Sequence, residues 1–312
     1  MTAGLPLPAP RLRGRRHLAA LAMLLAVGTA WGVGTPLWKI AAETGHDPLG
    51  LTIWQIAAGL LVLVPLCALR RVGLPLGPAY LRYYAGLALI GVLLPTTLFY
   101  IALREISAGV GAIIVATVPM LTLLMATALG LDRPTPRRLA GVGMGFVAVL
   151  LILSPDSLPS AGSAPYLLLA LLASASYAAE GNWISLRAPQ GLDPVATLLG
   201  ASLVALLIAL PLGALSGHIV SPFRPWGPGE WALNAVAAIS ALAYSGYIWL
   251  VGRTGPVFAA QVGYVVTLCG VFWSMLVLDE RYTGAVWAAL FTMLAGLALV
   301  RPRNRQHDPA HR

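Results

Sequence analysis

The sequence predicts an all-α fold: a polytopic membrane protein whose ten transmembrane helices form two inverted five-helix repeats. Three observations lead there. The 312 residues are 58% hydrophobic and only 10% charged, with a mean hydropathy of +0.81, whereas soluble domains carry roughly a quarter charged residues. Ten apolar runs, separated by Pro, Gly and charge, approach the length needed to cross about 30 Å of hydrocarbon. Finally, the second half of the chain repeats features of the first at a nearly constant offset.

The elements follow in order. Residues 1–17 are a basic segment in which Arg11, Arg13, Arg15 and Arg16 precede the first apolar run. That flank looks like a signal peptide, but the run continues from 18 to 38, which is long enough to span, so it reads as an uncleaved first helix. Spans two and three are expected at 49–69 and 83–103. The brief polar step LREISAG then turns the chain tightly into span four, 108–129, and a short span five occupies 137–153. A linker at 154–164 divides the halves. The second half reads as spans at 165–186, 194–215, 231–251, 256–277 and a short 283–300, followed by a tail at 301–312.

The net charge of +9 does not point to nucleic acid, because basic residues sit singly or in short clusters at the ends of apolar runs. They act as topology signals instead. With ten spans, sixteen of the 20 Lys and Arg residues fall on the face that carries both termini; only Lys39, Arg104, Arg224 and Arg281 fall on the other. Both termini are therefore expected in the cytoplasm, with the chain in the cell (inner) membrane. Cys67 and Cys269 lie inside apolar runs and read as buried thiols, giving neither a disulfide framework nor a metal site.

The repeat is visible in GHDPLG (45–50) against GLDPVA (191–196). An offset of 146 superposes Gly45, Asp47 and Pro48 on Gly191, Asp193 and Pro194, and Pro65-Leu66 on Pro211-Leu212. An offset of 147 superposes Tyr100 on Tyr247 and Leu131-Asp132 on Leu278-Asp279. The units are 18–153 and 165–300. Five spans is an odd number, so the second copy enters the membrane from the opposite side. This is the inverted-repeat plan of many secondary transporters, whose sites lie near the midplane between the copies.

LAVGTAWGVGTP in span one, FYIALREISAGVGAIIVATVPMLTLLMA (99–126) and LDERYTGAVWAALFTMLAGLALV (278–300), together with the duplication, resemble the EamA-type, ten-span drug/metabolite transporter superfamily over roughly 18–301. Two features depart from it: Gln55 stands in span two where Arg is frequent, and the first-half counterpart of the Glu-Arg element reads LDRPTP. The resemblance implies a site among spans one, three, four, six, eight and nine, and a small organic cargo commonly moved outward. Within the superfamily, aromatic amino-acid exporters of the YddG type are the nearest expectation for cargo.

Glu180 is the acid placed well inside a span, with no basic residue near its depth. Intramembrane carboxylates mark cavities, substrate paths or proton relays, so Glu180 is a candidate to bind a substrate ammonium or to carry a proton. The alternative is a carboxyl group that ties helices together. Asn182 adds a carboxamide close by. Trp31 and Tyr177 fall at equivalent depths in the two copies and are candidates for aromatic walls; packing between helices is the competing reading. Tyr100 and Tyr247 form a second equivalent pair, set against anchoring at the membrane interface. Gln55, Gln261 and Tyr264 are further candidates for substrate binding, since a polar group facing lipid needs a partner. Pro36, Pro95 and Pro119 are candidate hinges, because proline frees backbone carbonyls, although prolines are common in membrane helices generally. Gly28-x-x-x-Gly32 permits close helix approach.

Catalysis finds no support. The chain has no His-Glu-x-x-His helix, no second buried carboxylate for an acid dyad, and its five histidines lie outside spans or at their edges. A phosphate-binding Gly-x-x-x-x-Gly-Lys loop is also missing, so no ATP-driven pump is expected and no cofactor or metal is called for. A channel would want a filter loop or polar ring, and neither is evident. The expected function is secondary transport by alternating access, with neutral or aromatic amino acids as the expected cargo. A multidrug or cationic-compound exporter, using cation–π contacts, is the alternative, and a facilitative pore the alternative of another class. The expected partners are a small-molecule substrate and the lipid bilayer, with no nucleic acid and a monomer as the working form.

Overall fold

The computed structural model describes residues 14–154, 161–223, 225–254 and 256–300. Most of the basic N-terminal segment, most of the linker, Arg224 and the C-terminal tail lie outside the described residues.

The repeated Gly-x-Asp-Pro motif is a helix start. Gly45 and Gly191 take φ of +78° and +74°, a region open to glycine. Asp47 then accepts from the Leu49 N–H at 2.8 Å, and Asp193 from the Val195 N–H at 2.7 Å. Each aspartate caps a helix whose first residue is proline, which has no N–H to leave unpaired. The offset seen in sequence is therefore one structural device used twice.

Among the described residues the helices group into ten spans. Span one is broken into α1 (Gly14–Gly32) and α2 (Gly34–Ala42), and span two is α3 (Pro48–Leu69). Span three is α4 (Pro78–Leu87), a π-helical turn at Ala88–Leu93, and α5 (Leu94–Leu103). Span four is α6 (Ala108–Val115) and α7 (Val118–Ala128); span five is α8 (Pro136–Ile152). The second half comprises α9 (Ala164–Arg187), α10 (Pro194–Ser216), α11 (Pro228–Thr254), the broken ninth span of α12 (Pro256–Ala259) and α13 (Val262–Leu278), and α14 (Gly284–Val300). Six spans are long and apolar enough to cross a membrane by length and composition alone. The others are short or, like α9 with Glu180 and Asn182, diluted by polar residues.

Each candidate hinge proline follows a break. Pro36 comes just after the interruption at Val33, Pro95 just after the π turn, and Pro119 just after Ala116–Thr117. Without an N–H, Pro95 cannot bond to the carbonyl of Gly91, four residues earlier. The ladder is therefore loosened next to Glu180.

Packing follows the pseudo-symmetry. Span one lies on spans eight and nine, as span six lies on three and four; spans two and seven pair, and so do five and ten. Small residues set the close approaches. A Cβ on Gly28 would stand 2.5 Å from Val265, and one on Gly32 would stand 2.6 Å from Cys269, so the Gly28-x-x-x-Gly32 stripe seats span nine. Gly141 and Gly296 face each other's carbonyls across spans five and ten.

The symmetry breaks at the two ends of the bundle. At the Lys39 end, α2 packs against α5 and α6 of its own half. The symmetry-related neighbours at the Arg187 end would be α9 with α11, α12 and α13; among the described residues these make no comparable packing. Polar ties join the halves toward both ends. His46 Nε2 lies 2.9 Å from Glu230, and Glu280 accepts from the Ala108 and Gly109 N–H groups at 2.8 and 3.1 Å, both joining one half to the other at the Lys39 end.

Candidate functional site

Span six positions the candidate carboxylate by packing along span three. Helical spacing puts Ser176, Glu180 and Trp183 on one face of α9, and all three meet span three. Ser176 Oγ donates to the Ile90 carbonyl at 2.6 Å, inside the π turn. Trp183 covers Gly86 and its indole N–H points to the Tyr83 carbonyl at 3.4 Å. Between them Glu180 lies on Gly91, where a Cβ would stand 2.5 Å from the carboxyl carbon. Gly91 thus leaves room for the acid, and the π turn gives Ser176 a carbonyl to bond.

Glu180 is half-buried. Among the described residues no Lys, Arg or His forms an ion pair with it. The groups within its electrostatic reach are phenols: Tyr83, Tyr177 and Tyr244. A carboxylate inside the bundle, within electrostatic reach of phenols and without an ion pair among the described residues, can take up a proton or an external ammonium.

The other sequence candidates divide into groups. Trp31 and Tyr247 come together, ring centroids 5.6 Å apart and tilted by 48°, at the junction of spans one and eight. Tyr100 is buried and donates to Gln55 Oε1, which also accepts from the Trp38 indole N–H at 3.0 Å. Gln55 therefore has its partner inside the protein, joining spans one, two and three, and Tyr100 stands in the core and not at a lipid interface. Tyr177, with Trp38, Thr96, Phe99 and Tyr100, lines a small cavity beside that cluster. Asn182 points to the other side of α9, donating to the Ala178 and Thr122 carbonyls at 2.9 and 3.3 Å; it sits against span four, apart from Glu180. Gln261 precedes α13 at the break in span nine, and Tyr264 packs against the main core. Pro36 and Pro95 are buried, whereas Pro119 is exposed on the bundle surface.

Sequence reasoning missed Tyr83, Tyr244 and the glycine seats on span three. Gly86 and Gly91 lie five residues apart, with Pro95 four further on. That spacing is a signal for small seats and a loosened ladder, readable once span six is known to lie there.

The model of the EamA-like transporter family matches residues 18–154 and again 164–301. YedA of Escherichia coli (strain K12), described as an uncharacterized inner membrane transporter, is 27% identical over 299 residues, covering 93% of this chain and 92% of YedA. The uncharacterized protein PA1977 of Pseudomonas aeruginosa is 30% identical over 292 residues, covering 91% of this chain and 93% of PA1977. A solved crystal structure covers 90% of this chain and 97% of its own with a TM-score of 0.61 at 16% identity, a likeness of fold. Two matches in tandem take in nearly all the described helices, and the chain belongs to the EamA-like transporter family.

Proposed function

We propose that this transporter moves small organic solutes outward by alternating access, and that its cargo carries an amino group, with neutral and aromatic amino acids first among candidates. The observation that carries the reading is the seat of Glu180: a carboxylate on Gly91, without an ion pair among the described residues and within electrostatic reach of Tyr83, Tyr177 and Tyr244. An ammonium would pair with the acid, and an aromatic or aliphatic body would lie on the phenols and on the Trp31–Tyr247 pair. The absence of a cation beside Glu180 disfavours strongly anionic cargo. Packing that is closed at the Lys39 end and slack at the Arg187 end suits one state of a rocking cycle. The same reading sets the chain in the inner membrane, as the description of YedA says of that protein, with both termini in the cytoplasm.

The phenols and indoles equally suit organic cations through cation–π contact, which is the second reading. Uptake into proteoliposomes of labelled amino acids and of organic cations, with and without a pH gradient, separates the two. For cargo bound through its ammonium, Glu180→Gln should raise KM by about 10- to 100-fold. Loss of only the gradient-driven component would make Glu180 a proton carrier instead. Undiminished transport by Glu180→Gln, with or without the gradient, would sink both roles. If folded wild-type protein takes up no amino acid, the amino-acid reading fails and the cation arm decides the second.

A further inference from the structure

We propose that a crevice between α4 and α10 is a binding site for an anionic glycerophospholipid, drawn from the leaflet at the arginine-rich end of the bundle. It lies outside the transport site and does not depend on the cargo. The crevice measures about 260 Å³ and is walled by leucines and valine, with Tyr84 and Gly200 at its floor. Tyr84 is fully buried, yet its hydroxyl has no hydrogen-bond partner among the described residues. Its ring lies on Gly200: a Cβ there would stand 2.7 Å from the carbon that carries the hydroxyl. A buried phenol ordinarily finds a partner, and in hydrocarbon water cannot supply one. An ester carbonyl can accept from it.

The mouth has the matching chemistry. Leu76, Leu81, Leu207 and Leu210 on the rim are exposed, so an acyl chain can enter sideways from the bilayer. Arg70 and Arg71 open the loop that supplies Leu74 and Leu76, and Arg82 follows Leu81. All three are exposed; Arg82 folds toward the start of α4, its Nε donating to the Pro78 carbonyl at 3.3 Å, and Arg70 has only a 3.9 Å approach to Asp193. Three arginines in the segments that flank the crevice, the Tyr84 hydroxyl within two turns of the start of α4, and the leucine walls match in turn a phosphate, an ester and its acyl chains. Basic pockets between helices are a known form of lipid recognition.

The test is native mass spectrometry of the purified full chain, titrated with phosphatidylglycerol, with phosphatidylcholine of the same acyl chains, and with glycerol 3-phosphate as the headgroup alone. The wild type should prefer phosphatidylglycerol by about tenfold or more, given the charge of three arginines. Changing Arg70, Arg71 and Arg82 together to Gln should erase that preference. Leu207→Trp should fill the crevice and reduce retention of both lipids, and Tyr84→Phe should lower retention about fivefold, the worth of one hydrogen bond. Leu207 and the arginines are exposed, so those variants test the site even if Tyr84→Phe does not fold. Equal retention by wild type, the arginine variant and Leu207→Trp would overturn the proposal, as would headgroup binding as tight as that of the whole lipid.

Discussion

Gly91 gives the sharpest handle on the candidate site. A Cβ added there would stand 2.5 Å from the Glu180 carboxyl carbon and 2.6 Å from Oε1, where ordinary contact begins near 3.4 Å. The carboxyl group must retreat by about 1 Å, or span six must move; overpacking of this kind costs about 1–3 kcal/mol. Alanine also has a better helix propensity than glycine by up to about 1 kcal/mol, which masks part of the cost in a single variant. A double-mutant cycle removes that ambiguity, because the propensity gain is the same with or without the acid. Glu180→Ala deletes the atoms in question. Gly91→Ala should therefore destabilise the wild type and be neutral or stabilising in the Glu180→Ala background, with a coupling of about 1–3 kcal/mol. Thermal unfolding of the detergent-purified protein reads this out, and uptake by Gly91→Ala alone should fall because the carboxylate is displaced. Equal effects of Gly91→Ala in both backgrounds would refute the seating of Glu180 on span three.

Three other outcomes are expected. Glu280→Ala removes a carboxylate that accepts from the Ala108 and Gly109 N–H groups at the start of α6 and from the Tyr282 hydroxyl; it should cost about 2–4 kcal/mol, with Glu280→Gln milder, and unchanged melting of both would show that the tie contributes nothing. Gln55→Leu strips the acceptor shared by Trp38 and Tyr100, and leaving these donors unpaired should cost about 1–3 kcal/mol, whereas Gln55→Glu keeps an acceptor and should melt nearer the wild type. Gly145→Ala would drive a Cβ into the Met120 sulfur, while Gly143, two residues along the same helix, has nothing within 4 Å; the first should lower the melting temperature and the second leave it unchanged or slightly higher. Equal effects of these two alanines would contradict the packing of span five on span four.

The fold was legible because its causes are local or periodic. Apolar runs located the spans, and the Gly-x-Asp-Pro pair marked two helix starts that proved to be the same cap. Gly28-x-x-x-Gly32 announced a close approach, though only the structure identifies span nine as the neighbour. The candidate site was legible in part. Glu180 stood out because an acid in hydrocarbon is costly. What could not be read was which helix the Glu180 face meets. The seats on Gly86 and Gly91 and the π turn at Ala88–Leu93 depend on contacts between residues some 90 positions apart, and Gln55 and Asn182 look alike in sequence until their partners are known.

Departures from the repeat carry as much physical content as the repeat itself. At the offset of 147 that superposes Leu131-Asp132 on Leu278-Asp279, Glu280 corresponds to Arg133. Glu280 can accept from the exposed N–H groups at the start of α6, where the helix dipole also favours an anion. Arg133 can accept nothing, and its neighbour Asp132 is engaged within its own half by Arg138 at 2.8 Å. Among the described residues, a carboxylate clasp between the halves stands at the Lys39 end. Two states related by the pseudo-two-fold axis would have equal energy only if the two ends carried equal ties. On the rocking cycle proposed above, opening the Lys39 end must break the Glu280 clasp. A ligand reverses such a bias only through its differential affinity for the two states. On the proposed function, Glu180 of span six, seated against the π turn of span three, is the group that supplies that difference.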